Sequence, residues 1–288
     1  AIAHGAANPG TDIWEFWKRR APLSKSMPVG VVLTIPAAGS ETSDSAVLTN
    51  AEAGEKRGLN TPFNRPAFAI LDPLLAATLP AHQVACGVSD ILMHTLDRYF
   101  NPVTDNALTD ELAEALLRVV LEFGPAAVRD ARDEKAMSEI MWAGSLSHNG
   151  LTGLGGNKDF ATHQLGHALS EKFDVYHGDS LTAVWSSWAR SVMDEDPARF
   201  ARFARNVWHV EEADDTAAAL AGIAKQESFF QSIGMPVRLS ELSCGAQDEA
   251  GLEDLASRCS FGKTRTIGTF RVLDYAKILA IYRRANEA

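Results

Sequence analysis

The residues best equipped for chemistry lie in "DFATHQLGHALSEKFDVYHGDS", positions 159–180, which holds three of the eight histidines of the chain. His163 and His167 stand four apart, a spacing that on a helix puts both imidazoles on one face and lets them address a common point. His177 comes ten residues after His167, beside a glycine, where the helix should have ended and the chain can fold back. A pair at this spacing is weak evidence by itself, because such histidines are more often surface or hydrogen-bonded core residues than ligands. A second pair strengthens it. In "QVACGVSDILMH", 83–94, Asp90 and His94 are again four apart, in a stretch that is otherwise apolar or small. A carboxylate in such surroundings is costly unless it is paired or bound to a metal. One carboxylate with three imidazoles is a hard-to-borderline donor set that suits Fe²⁺ or Zn²⁺ and not Ca²⁺ or Mg²⁺. Spacing alone leaves open whether His163 or His167 would be a ligand.

Two helices, each offering ligands, must position these groups, as in the core of a helical bundle. Asp159 follows the glycine-rich "GLTGLGGNK" and is the expected N-cap of the helix carrying His163 and His167. Upstream of residue 80 the pattern differs. "VGVVLTI" (29–35), "SAVLTN" (45–50) and "AFAILD" (67–72) are short, apolar or β-branched, and bounded by Pro, Gly, Ser and Asn, so they predict strands. Beyond residue 80 the signal is helical. "NALTDELAEALLRVVLEFG" puts Leu108, Leu112, Leu116, Val120 and Phe123 at spacings of three and four, the predicted buried face of a helix. "DEKAMSEIMWAGSLSHNG" stops at Asn149-Gly150, and "DDTAAALAGIAKQESFFQSIGMP" has an acidic start and a Gly-x-Pro end. The expected organisation is an α/β segment over 1–80 followed by an all-helical domain over 81–288.

Composition bounds the function. At 288 residues, with 46% hydrophobic and 22% charged side chains, the chain can bury a large core. A net charge of −10 argues against a general nucleic-acid binder or a partner for anionic membranes. Apolar runs such as "ALLRVVLEFG" are too short and too interrupted to span a bilayer. Three scattered cysteines, Cys86, Cys244 and Cys259, predict neither a disulfide framework nor a Cys-based zinc site and favour a reducing cytoplasm.

Together, "LTIPAAGSETS" (33–43), "FAILDPLLAATLPAHQVACGVSDILMH" (68–94) and "HQLGHALSEKFDVYHG" (163–178) make the chain resemble, along essentially its whole length, the iron-containing (group III) alcohol dehydrogenases, closest to the butanol dehydrogenase and aldehyde reductase branch. The resemblance implies a dehydroquinate synthase-like architecture: a Rossmann-like dinucleotide-binding domain, partial here in 1–80, and a helical metal-binding domain in 81–288. It implies Asp90, His94, His163 and His177 as ligands of one divalent metal, Fe²⁺ or Zn²⁺, with His167 beside the metal as a catalytic proton relay. It implies NAD or NADP as cofactor, small alcohols and aldehydes as substrates, and an assembly that can be a homodimer. "TIPAAGSE" matches the family's TTAGTGSE turn and so aligns Thr34, Gly39, Ser40 and Glu41 with cofactor contacts. Ala38 stands where a threonine is common, which puts one hydroxyl contact in doubt. Lys56 matches a lysine that contacts the cofactor ribose. The family's GGGS pyrophosphate turn is not in this sequence, so against the resemblance either the first nucleotide-binding strands lie upstream of Ala1 or the chain is a genuine fragment. A fragment lacking that turn should bind dinucleotide poorly, and the NAD/NADP choice stays open.

Two other functions compete. A metal hydrolase would need a glutamate base beside the ligands, as in HExxH helices. Position 164 is Gln and 168 is Ala, which leaves only Glu171. A catalytically silent metal-binding module is the second. The substrate pocket is expected around Met93, Trp142 and Leu151.

Overall fold

The computed structural model describes residues 1–52, 55–103 and 105–287. Two short helices open the chain, α1 (Ile2–Ala7) and α2 (Ile13–Trp17), the second capped by Asp12, which accepts from the Trp14 N–H. Four strands follow: β1 (Gly30–Leu33), β2 (Ser45–Asn50), β3 (Glu55–Asn60) and β4 (Phe68–Leu71). β1 and β4 pair in parallel, from Gly30 opposite Phe68 to Leu33 opposite Leu71. β2 and β3 form an antiparallel hairpin, Ser45 opposite Asn60. The three apolar runs read as strands lie in β1, β2 and β4; α1, α2 and β3 are additions. β3 escaped notice because "EKRGLN" has no apolar alternation to report. α2 is too short for a helical period to show, yet it buries Trp14, Phe16 and Trp17 against Leu59 of the hairpin, in a small core of its own.

Among the described residues nine longer helices follow: α3 (Ala81–Tyr99), α4 (Ala107–Arg129), α5 (Glu134–His148), α6 (Ala161–Phe173), α7 (His177–Val192), α8 (Pro197–Trp208), α9 (Asp215–Ser232), α10 (Glu249–Cys259) and α11 (Tyr275–Asn286). α3 is the axis of this part. It packs against α4, α5, α6 and α7, and Val84, Val88, Ile91, Leu92 and Leu96 are completely or almost completely buried around its circumference. A helix buried on every side belongs inside a bundle.

The expected buried face of α4 holds only in its later turns. Leu116 and Val120 are buried and Phe123 is half-buried, but Leu108 is 74% exposed and Leu112 is exposed as well, with Ala113, Leu117 and Ala127 buried beside that face. In the first turns Asp110 and Glu114 lie inside, where Arg199 and Arg202 of α8 receive them. Hydrophobic spacing could not foresee that two carboxylates would be the buried residues. The expected stops of α5 and α9 hold: Asn149 caps α5, with Gly150 left-handed after it, and α9 is capped by Asp214 and followed by left-handed Gly234.

Candidate metal centre

α3 carries Asp90 and His94 one turn apart on its buried length, α6 carries His163, and His177 is the first residue of α7. Three ring nitrogens gather around a single carboxylate oxygen. Asp90 Oδ1 lies 3.5 Å from His94 Nε2, 3.6 Å from His163 Nε2 and 3.6 Å from His177 Nε2. These separations are too long for hydrogen bonds, but they are close to the edge of a coordination tetrahedron, about 3.4 Å for ligand bonds near 2.1 Å. Asp90 Oδ1 and His163 Nε2 are both buried and have no hydrogen-bond partner. Leaving a buried donor or acceptor unmade costs about 1–3 kcal/mol per group, so a divalent cation is the natural occupant of the point they share. Asp90, His94 and His163, whose ligand atoms all lie within 4.8 Å of one another, therefore fit the implied metal, and His177 approaches them through Asp90 Oδ1. The open side is at His177, whose side chain is 38% exposed against 4% for Asp90 and His163.

The surroundings tune the four groups. Burial alone would raise the Asp90 carboxyl, but the imidazoles of His163, His177 and His148 outweigh it and hold Asp90 well below the usual carboxylate range. Burial likewise opposes a charge on His163, yet Asp90 and Asp97 prevail and lift it to about 9. His94, desolvated and faced by His148 and His163, is pushed down.

Three groups beside the site were not foreseen. Asp97 Oδ2 meets His163 Nδ1 at 2.5 Å and so orients the ring whose other nitrogen faces the centre. Its signal was legible: Asp90, His94 and Asp97 follow the 4,3 spacing of one helix face. Arg98 donates to the His94 backbone carbonyl, and its Nη1 is 3.2 Å from His94 Nδ1. His148, the last residue of α5, lies with its ring centroid 3.7 Å from that of His94; burial pushes it down to about 4. Nothing in "SLSHNG" marks it. Asp159 is not the N-cap of α6. Phe160 takes that position in a left-handed conformation, φ 55°, and packs 5.0 Å from the His163 ring. Asp159 instead accepts from Ala161, Thr269 and Phe270 N–H groups, which ties the loop before α11 to the start of α6.

His167 is half-buried beside the centre, its ring stacked at 5.4 Å on His177 and 6.2 Å from His163. Of the residues expected to meet the cofactor, Thr34, Ala38 and Ser40 are exposed. Between them Gly39 has φ +53°, and a Cβ there would fall 2.2 Å from His148 Cβ, so only glycine fits. The turn thus backs onto His94 through one intervening ring. Glu41 points inward and accepts from Ser145 Oγ of α5. The side chain of Lys56 lies outside the described residues. The expected pocket residues do not share a wall: Met93 is wholly inside the core, Trp142 is 59% exposed and Leu151 is half-buried. Glu171, the base a hydrolase would require, pairs with Arg258 at 3.3 Å.

Residues 83–286 match the family described as "Fe-containing alcohol dehydrogenase family, C-terminal", and residues 1–73 match "Iron-containing alcohol dehydrogenase". The chain is 32% identical over 286 residues to NADH-dependent butanol dehydrogenase A of Clostridium acetobutylicum, covering 99% of this chain and 72% of that protein. It is 35% identical over 242 residues to the NADPH-dependent aldehyde reductase YqhD of Escherichia coli, covering 83% and 62%. The crystal structure of NADH-dependent butanol dehydrogenase A from Thermotoga maritima superposes with a TM-score of 0.92 at 27% identity, over 99% of this chain and 72% of that one. With both parts of the chain matched and a donor set that fits the metal, the chain belongs to the iron-containing alcohol dehydrogenase family.

Proposed function

We propose that this chain transfers hydride between NAD(P)(H) and small primary alcohols or aldehydes, with residues 81–288 holding the metal and residues 1–80 contributing to the nucleotide side. The carrying observation is the convergence of His94, His163 and His177 on one oxygen of Asp90, with an exposed small-residue turn behind His94 across the His148 ring. Asp90, His94, His163 and His177 are the proposed ligands. A divalent ion there, Fe²⁺ or Zn²⁺, supplies Lewis acidity that polarises the substrate oxygen, while the nicotinamide supplies or accepts the hydride.

The protein's own groups do the rest. Asp97 holds the His163 ring in one orientation, and His148 and Arg98 brace His94 from the other side. Thr34, Ala38 and Ser40, exposed on the turn around Gly39, offer backbone N–H groups and hydroxyls to phosphate or ribose oxygens; Lys56 is the proposed ribose contact. His167, on the partly exposed side of the site, accepts the proton released when an alcohol is oxidised and returns it in the reverse direction, since one imidazole can do both. The three free cysteines, Cys86, Cys244 and Cys259, fit a reducing cytoplasm, and no helix among the described residues is long and apolar enough to cross a membrane. A homodimer is the proposed assembly, read by sedimentation.

The test is oxidation of NADH or NADPH by a panel of short aldehydes, with metal-loaded protein of full natural length. Turnover that needs both metal and reduced nicotinamide supports the assignment. Ester or amide cleavage without nicotinamide would replace it with a hydrolase, and a metal-loaded protein silent under every condition would leave a binding module.

A further inference from the structure

One helical turn before Asp90, a second set of ligand-type atoms converges. His82 and Cys86 are four apart on α3, and Asp179 stands in the first turn of α7. His82 Nε2 lies 3.1 Å from Asp179 Oδ2 and 3.7 Å from Cys86 Sγ, and Cys86 Sγ lies 3.8 Å from Asp179 Oδ1. Tetrahedral Zn²⁺ with ordinary Zn–S, Zn–N and Zn–O bonds would space such atoms by about 3.3–3.6 Å. An ion would therefore draw the sulfur in by a few tenths of an ångström and part the hydrogen-bonded His82–Asp179 pair by as much. A nucleophilic relay is the wrong description. A relay uses the two imidazole nitrogens on different partners, whereas here one nitrogen faces both the sulfur and the carboxylate. Burial and then the Asp179 charge also push the Cys86 thiol up to about 12, the opposite of an activated nucleophile.

The backbone is arranged to bring these atoms together. A Cβ on Gly178 would sit 2.6 Å from Cys86 Cα, so the start of α7 can lie against α3 only with glycine at that position. The His82 ring packs edge-on against Tyr176, centroids 5.3 Å apart, which limits its rotation. His82 and Asp179, together with Tyr176, Met235 and Leu242, line a cavity of about 470 Å³. A three-ligand ion would therefore keep its fourth position turned to open space, with room for water or a small ligand.

We propose that His82, Cys86 and Asp179 form a second divalent-cation site, of the Zn²⁺ class, distinct from the one at Asp90. Thiolate and imidazole select Zn²⁺-like ions over harder ones, and thiolate plus carboxylate neutralise the divalent charge. Because the site joins α3 to the first turn of α7, the ion pins the helix carrying Asp90 and His94 to the helix carrying His177. It is a positioning site, away from the reacting atoms.

Cobalt separates the two sites spectroscopically, since the Asp90 site has no sulfur donor. Protein stripped with a chelator and titrated with Co²⁺ should take up two equivalents, one of them giving an intense near-ultraviolet thiolate-to-cobalt charge-transfer band. Cys86→Ser and His82→Ala should each remove that band and weaken one equivalent by about tenfold or more, with circular dichroism unchanged. His163→Ala should remove the other equivalent and leave the band. Uptake of a single equivalent without the band, or a band that survives Cys86→Ser, would overturn the proposal without touching the Asp90 site.

Discussion

α3 meets two buried charge clusters, one at its middle and one at its C-terminal end, and they are built on opposite plans. At Tyr99, both oxygens of Asp110 take the Arg199 guanidinium, which also donates to the Tyr99 carbonyl. Glu114 accepts from the Tyr99 hydroxyl, Arg202 and Asn206. Both carboxylates there are consumed within the protein. At Asp90, nine residues or about 13 Å earlier along the helix, the corresponding oxygen faces three ring nitrogens, and neither it nor His163 Nε2 has a hydrogen-bond partner. A closed network of this sort fastens helices together. An open one, whose buried atoms face one another across a shared point, is stable only with something at that point.

The contrast can be broken or sharpened in five ways. Asp90→Ala, His163→Ala or His177→Ala should each abolish metal retention and lower turnover by about 10³-fold, the several kcal/mol a Lewis acid supplies; elemental analysis beside nicotinamide-coupled rates checks this, and retained metal would deny the convergence its meaning. Asp110→Ala should do the reverse. It strands Arg199 in the core and lowers unfolding free energy by about 3–5 kcal/mol, measured in urea, with metal content per folded chain unchanged. His167→Ala should keep its metal and slow turnover by about 10²-fold; metal loss in that variant would mean that His163 and His167 had been assigned the wrong way round. Asp97→Asn should weaken metal binding by about 10–100-fold in chelator competition, while far-ultraviolet circular dichroism stays the same. The smallest effect is expected at the cofactor turn. Ala38→Thr should restore one hydroxyl contact and lower the dinucleotide KM by about fivefold, the worth of one hydrogen bond of about 1 kcal/mol.

Local pattern carried far where one residue type had one job. Strand β2 coincides with the run "SAVLTN", and Asn149-Gly150 ends α5 because a left-handed residue terminates the hydrogen-bond ladder. It failed where partners came from distant sequence. Leu116 and Val120 of the predicted α4 face are buried, but in its first turns Leu108 lies in solvent while Asp110 and Glu114 lie inside, received by arginines about ninety residues later. β3 and α2 were invisible because an exposed polar hairpin strand and a one-turn helix are stabilised by what they touch and not by their own periodicity.

The amino-acid order by itself specified the donor types, their spacing along two helices with His177 beyond the second, and the family motifs that single out Asp90, His94, His163 and His177. Helical repeat and side-chain chemistry are short-range properties, so a linear reading suffices for them. Only the packing of α3 against α5, α6 and α7 placed three nitrogens around one oxygen, set Asp97 and His148 behind them, and brought Cys86 to Asp179. Those juxtapositions join residues as much as 93 positions apart, and no local preference encodes a distance between segments that meet only when the core closes.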